Sequence, residues 1–373
     1  MIMRCILIVL ICIAMVHASE DVHLESLIAQ AEISERNMEL AGVFVKDPAL
    51  EQYFSSVVSR IVRNDTLPVT VRVRVIKDIS FNAYAAANGS IYICSGLLAR
   101  IDNEAQLGAL LGHEITHISN MHIANALLNA KKDAGASARA GIGLEFFLGS
   151  LGKAISNISF KTAVTGYSRA LELEADSIGL IRMVSAGYAP IEFRNLFLKL
   201  KKSIEEESID QPFFFSTHPA IAERIDNFYK FIGKDTVEAS QGDIRAGEFL
   251  RMIHAVLNVD GTMRIASGAF DIAKTDFMRI HETDTCNVAA LLRLGDIERW
   301  RLAPQRSEDA LRWYQLANRG EMRTGESFRA LGFYYFENSL FDSASVYLSY
   351  IENNPETPYG NIIRNYIDQC SKK

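Results

Sequence analysis

The chain has 373 residues, of which 49% are hydrophobic and 23% charged, and its formal net charge is −6. That length favours two domains over one core, and the composition excludes an intrinsically disordered chain. The acidic balance excludes the basic footprint of a nucleic-acid binder, so no nucleic-acid partner is expected.

Residues 1–18 read as a signal peptide. Arg4 gives the positive start, Cys5 to Met15 form a short apolar run, and Val16-His17-Ala18 fits a cleavage site after Ala18. No later stretch is apolar for the roughly 18 residues that a spanning helix needs, so the mature chain is expected to be soluble or peripheral to a membrane. Cys94 lies in an apolar run and reads as a buried thiol, while Cys286 and Cys370 are candidates for pairing in an oxidising compartment.

Residues 20–62 read as helical. Asp47-Pro48 supplies a helix start, and Leu50, Tyr53, Val57, Val58 and Ile61 form one apolar stripe. Val69, Val71, Val73 and Val75 then alternate with Thr70, Arg72 and Arg74, which is the period of a half-buried strand. A second strand region covers Asn82 to Ser95, with Asn88-Gly89 as a turn signal inside it. Together these predict a small antiparallel sheet. A long helix follows, capped by Asp102 or Asn103 and running to about Lys131.

That helix carries His113-Glu114-Ile115-Thr116-His117. Two histidines four apart on a helix point the same way, so both imidazoles can bind one zinc. Glu114 sits beside the first and can accept a proton from a metal-activated water. His122 falls off the ligand face and reads as structural. A hydrolytic zinc takes three protein ligands and keeps one position open. The metzincin pattern would need Gly at 120 and His at 123; the chain has Asn120 and Ile123, so that class is excluded.

Residues 132–160 are rich in Gly, Ala and Ser with interspersed Phe146, Phe147, Leu148 and Leu151, which suggests a lid-like insertion. Helix returns from about Thr165 to Ala186 and again over 191–208. Glu172 and Asp176 share one face of the first of these helices. One can ligate the metal while the other orients a ligand histidine from behind, and Ala175 leaves room for close packing. A loop then carries Ser216-Thr217-His218-Pro219, and beyond Gly233 the pattern is helical to the end. There Leu331-Gly332, Tyr335, Ala344, Leu348 and Pro355 approach the spacing of a tetratricopeptide unit. Leu294-Gly295, Ala310, Tyr314 and Ala317 repeat it, and a degenerate unit is suggested around Ala266 to Ala273.

Five segments together resemble the HtpX and BepA type of zinc metallopeptidase, a gluzincin family: Asn82-Ala83-Tyr84-Ala85, Ser95-Gly96-Leu97-Leu98, His113 to His117, Glu172 to Asp176, and Thr217-His218-Pro219. The helical tail makes the chain most similar to the periplasmic BepA-like members. Two departures are visible. Ala87-Asn88-Gly89 stands where the family usually has a Gly-Gly turn, and the tail is shorter and less regular.

The resemblance implies an α+β fold: a zincin-like metallopeptidase domain over residues 19–233, then an all-α tetratricopeptide-like domain over 234–373. It implies one zinc per chain, held by His113, His117 and Glu172, with Asp176 behind His113 or His117 and Glu114 catalytic. His218 is expected to face the metal, either stabilising the oxyanion or resting on the open position, and Arg224 to assist in charge stabilisation. An extended substrate is expected against a sheet edge near Ala85 to Ile93. The implied function is an exported, periplasmic zinc endopeptidase in envelope protein quality control. It would act on protein or peptide substrates and reach outer-membrane proteins or their assembly machinery through the tail. The alternative is a chaperone or partner-binding repeat protein with a mostly closed, weakly active site.

Overall fold

The computed structural model describes residues 24–63, 65–126, 167–207, 221–233, 238–301, 307–352 and 360–372. The export segment, the 132–160 insertion, the His218 loop and Pro355 lie outside them. The chain divides into two compact units, Met1–Val256 and Leu257–Lys373.

The first unit opens with two helices, α1 (24–40) and α2 (Pro48–Ile61). Asp47 caps α2 as its sequence predicts: the carboxylate accepts from the amides of Ala49 at 2.9 Å and Leu50 at 3.2 Å, and Pro48 takes the first helical position. Three strands follow: β1 (Arg72–Ile76), β2 (Ala83–Ala85) and β3 (Ser90–Cys94).

Their order is β1-β3-β2. β2 and β3 form the expected antiparallel hairpin around Asn88-Gly89, with Gly89 at φ 83°. β1, however, pairs with β3 in parallel, from Arg72↔Ser90 to Ile76↔Cys94. The sheet is therefore mixed, which corrects the antiparallel expectation. The segment 77–82 is too long for a tight hairpin and carries the chain past one strand position, roughly 10 Å, so that β3 inserts between its predecessors. The outer edge of β1 is covered as well. Phe44 bridges Ile76, and the amides of Val45 and Lys77 donate to the carbonyls of Val75 and Val43, each at 2.9 Å. β3 is thus central. The expected substrate edge shrinks to β2, and Ser90 to Ile93 are removed from it.

After the single turn α3 (Ser95–Leu98) comes α4 (Glu104–Ser119), capped by Asn103, whose side chain accepts from the Gln106 amide at 2.9 Å. Every residue from Glu104 to Ile118 is buried, so α4 is the axis of the unit. The helix was expected to run to about Lys131, but it stops at Ser119 with Asn120 as its C-cap. Met121 then takes a left-handed backbone, φ 54°, and helix resumes over 122–126. Periodicity alone cannot report such a break, because the apolar pattern continues through it.

Against α4 lies α5 (Arg169–Ser185), capped by Ser168. The two meet at Gly112 and Gly179. A Cβ at Gly112 would come within 2.7 Å of the Gly179 carbonyl oxygen, and one at Gly179 within 2.7 Å of the His113 amide nitrogen. Contact this close needs glycine on both helices. α6 (Ile191–Glu206) and α7 (Ile221–Ile232) complete the layer. Residues 238–252 fold back onto the same unit. Asp243 bridges Tyr188, the Ala105 amide donates to the Ile244 carbonyl at 3.3 Å, and α8 (Ala246–Met252) packs on α2 and α4.

The second unit follows from α9 (His254–Ala266), which spans the division between the units. It contains α10 (Phe270–Thr283), α11 (Val288–Arg301), α12 (Glu308–Ala317), α13 (Gly325–Glu337), α14 (Phe341–Glu352) and α15 (Gly360–Cys370). Gly261, Gly295 and Gly332 each admit a large side chain from the next helix: Phe277, Tyr314 and Leu348. Ala310, Tyr314, Ala317, Leu331, Ala344 and Leu348 are all fully buried. Cys286 is exposed, Cys370 is buried, and no disulfide joins them. Among the described residues no helix is long and apolar enough to cross a membrane.

Candidate metal centre

α4 turns His113 and His117 to one side, and α5 presents Glu172 from its first turn. One ligand atom from each of these three side chains lies within 4.8 Å of the others. The Nε2 atoms of His113 and His117 are 3.2 Å apart, and each is 3.5 Å from a Glu172 carboxylate oxygen. All three residues are fully buried.

The ring nitrogens that face away from Glu172 each have a partner. His113 Nδ1 is 2.9 Å from Asp176 Oδ1, and His117 Nδ1 is 3.0 Å from His122 Nδ1. The tautomer that donates from Nδ1 to these partners leaves two Nε2 lone pairs and a carboxylate converging on one buried point. Such a point is repulsive unless a cation occupies it, and an N2O donor set suits a four-coordinate zinc with one open position. The residues therefore fit the metal their sequence implies.

Glu114 is buried beside the two histidines, and its Oε1 has no hydrogen-bond partner. A buried, unpartnered carboxylate oxygen calls for a water or a substrate proton. Asp176 is held by Arg224, whose Nε lies 3.1 Å from Oδ2 and whose second nitrogen contacts Oδ1. Burial works against the charge on Asp176, but the guanidinium and the His113 hydrogen bond outweigh it and keep the carboxyl below its usual range. Arg224 also covers the Phe197 ring, its guanidinium carbon 4.2 Å from the centroid. A nitrogen of its guanidinium also lies 2.8 Å from His113 Nδ1, so it meets His113 both directly and through Asp176, on the Nδ1 side of the ring.

Sequence reading missed two aromatic neighbours of His117. Tyr167 stacks on its ring, with centroids 3.9 Å apart and planes 16° from parallel. Burial, and then the nearby charges of Glu114 and Glu172, push the Tyr167 hydroxyl well above its usual range, so it stays protonated. His122 meets the ring at Nδ1; it was set aside as structural because a continuous helix would turn it away. Gly179 was also missed, though Ala175 was noted for packing. Each lacks a motif of its own: the meeting of α4 and α5 reveals Gly179, and the left-handed Met121 brings in His122. His218 lies outside the described residues.

Residues 48–231 match the sequence profile of Peptidase family M48. The chain carries a peptidase family M48 domain. Curated relatives of this domain are named as proteases. The chain is 26% identical to the putative beta-barrel assembly-enhancing protease of Vibrio cholerae over 48% of its own length and 39% of the relative's. It is 24% identical to the beta-barrel assembly-enhancing protease of Yersinia pestis, over 54% of its own length and 43% of the relative's. With metalloprotease LoiP of Escherichia coli the identity is 33%, over 46% of this chain and 66% of that one. The chain thus spans about two fifths of the first two relatives. In this M48 domain the family match, the helix pair α4–α5 and the buried donor cluster coincide.

Proposed function

We propose that this protein is an exported zinc endopeptidase of the bacterial periplasm that degrades envelope proteins in quality control. The observation that carries the reading is the convergence of His113, His117 and Glu172 around one buried point beside the unpartnered carboxylate of Glu114. In this reading those three residues would hold one zinc, which would supply Lewis acidity toward the scissile carbonyl. Glu114 takes a proton from the attacking water at Oε1 and hands it to the departing amine nitrogen. Asp176, itself fixed by Arg224, keeps His113 in the tautomer with Nε2 toward the metal. Tyr167 holds the His117 ring by stacking. An extended substrate pairs with β2, the outer strand that packs on α4. Just before β2, both amide atoms of buried Asn82 lack partners, which supports a polar main-chain contact there. His218 keeps its expected role beside the metal on the strength of the resemblance alone.

The test is metal analysis with casein turnover on the mature chain. One zinc per chain, activity abolished by a chelator, and a Glu114→Gln variant that keeps its zinc but loses about 10²- to 10⁴-fold in turnover are expected. Wild-type protein without zinc, or a fully active Glu114→Gln, would sink the assignment.

For the tail we propose tetratricopeptide-like packing, supported by Gly261, Gly295 and Gly332, which recur at close to the 34-residue repeat. Stacked helical pairs form surfaces for partner segments; the relatives' names speak of beta-barrel assembly, and outer-membrane proteins or their assembly machinery are the partners this reading proposes. A chain ending at Gly268 is expected to cut a short peptide normally and a protein substrate poorly; equal loss of both would make the tail structural.

A second reading, a chaperone or partner-binding repeat protein with a mostly closed site, is favoured by the full burial of the donor cluster under Tyr167. Chelator-insensitive suppression of aggregation, with no proteolysis, would select it.

A further inference from the structure

Metal-ligating histidines need a partner on the ring nitrogen that does not face the metal. That partner sets the tautomer and the ring orientation, and its loss typically costs about 10- to 100-fold in metal affinity. His113 has the usual kind of partner, the carboxylate of Asp176 at 2.9 Å. At His117 the corresponding atom is Nδ1 of a third histidine, His122, at 3.0 Å.

The backbone is bent to make this contact. On a continuous helix His122 would lie about 140° around from His117. Instead α4 ends at Ser119, and Met121 adopts φ 54°, a left-handed conformation uncommon for residues other than Gly and Asn. This turn brings His122 back across the end of the helix, where it is buried. Backbone strain of this kind persists where the surroundings fix it and is concentrated at functional sites.

His122 is itself oriented from behind. Its Nε2 lies 3.6 Å from Glu174 Oε2, and the other Glu174 oxygen accepts from Asn120 Nδ2 at 2.6 Å. At 3.6 Å Glu174 stands beyond hydrogen-bond length, but its negative charge favours the tautomer with the proton on Nε2. Its Nδ1 is then a lone pair, able to accept from His117 Nδ1–H. A hydrogen bond joins His117 to His122, and an ion-pair-range contact joins His122 to Glu174, both in the sense that leaves His117 Nε2 free for the metal.

We propose that His122, braced by Glu174 and brought into place by the left-handed Met121, is the positioning residue for the ligand His117. This rests on the reading of His113, His117 and Glu172 as a metal centre. The contact serves the metal and not the fold alone, so its removal should lower zinc affinity without lowering the stability of the metal-free protein in proportion.

The experiment measures the zinc dissociation constant by chelator competition, and the melting temperature of the chelated protein, for wild type, His122→Leu, His122→Gln and Glu174→Ala. The expected result is a 10- to 100-fold weaker constant for His122→Leu. His122→Gln, which can still accept from His117 and donate to Glu174, should recover most of that loss. Glu174→Ala should weaken binding by a few-fold with the chelated melt unchanged. In cobalt-substituted protein the visible absorption bands should shift for His122→Leu and return toward wild type for His122→Gln. Zinc binding as tight as wild type in His122→Leu overturns the proposal, as does a His122→Gln no better than His122→Leu. If His122→Leu does not fold, unchanged affinity in Glu174→Ala overturns it instead. A wild-type chain that binds no zinc overturns the metal centre as well, and so separates the two failures.

Discussion

His113 and His117 stand four residues apart on α4, yet the structure supports them in different ways. Behind His113 the chain ends in a closed pair: Asp176 and Arg224 are each 1% exposed, and Arg224 is roofed by Phe197. Behind His117 it passes through His122 to Glu174, whose side chain is 43% exposed. The inner end is a buried charge pair that both fold and site depend on. The outer end is a ring beside a surface carboxylate, and under the proposed reading the cost of change there is expected to fall mainly on the metal. One helix thus carries a rigid anchor and a more adjustable one.

The sharpest way to break this contrast is at Asp176. Asp176→Asn leaves Arg224 buried without its counter-charge, and about 3–5 kcal/mol of stability is expected to be lost. Glu174→Ala, on the surface, should cost under about 1 kcal/mol. Denaturant unfolding of the chelated proteins checks both, and equal losses would erase the distinction between the two ends. The contrast also has a pH signature. Because the folded-state pKa of Asp176 is depressed, its contribution is fully present above the unfolded value near about 4 and is lost as pH falls through the lower, folded value. Acid titration of stability should therefore flatten in Asp176→Asn below about pH 4, and an unchanged slope would contradict the assignment.

A smaller effect is expected at the crossing that sets the distance between the ends. Gly179→Ala pushes a methyl toward the His113 amide nitrogen, 2.7 Å away. Overpacking of this kind costs about 1–3 kcal/mol. It should also separate Glu172 from both histidines, weakening zinc binding in the same variant. A zinc affinity equal to wild type would mean that α5 can shift without moving its ligand.

The smallest effect concerns the outer end alone. Met121→Gly removes the left-handed penalty, worth about 1–2 kcal/mol for a residue with a side chain, and gives up the packing of the methionine. The net stability change is expected within about 1 kcal/mol of zero, with zinc retained. Met121→Val, whose branched side chain resists positive φ, should lower stability and weaken zinc binding together. A thermal melt with and without chelator separates these outcomes.

The ease of reading this site from sequence tracks the distance over which each determinant acts. His113, Glu114 and His117 are neighbours on one helix turn, so spacing alone aligns them. The caps at Asp47 and Asn103 are equally local. Glu172 and Asp176 could be paired with that helix only by asking what a zinc site lacks. The parallel pairing of β1 with β3 escaped because strand alternation says nothing about which neighbour a strand takes. His122 was set aside for a sound local reason that a single positive φ reversed. Gly179 matters only because Gly112 faces it, and no pattern within either helix announces that meeting.

The donors at positions 113, 117 and 172 come from two helices separated in the chain, and their meeting requires the glycine crossing to be in place. A polypeptide still being completed from its N-terminus offers two imidazoles and no third group. Under the reading proposed for this site, hydrolytic competence arrives only after α5 has docked on α4. The order of synthesis then delays self-digestion: a molecule not yet folded lacks the means to cut its neighbours.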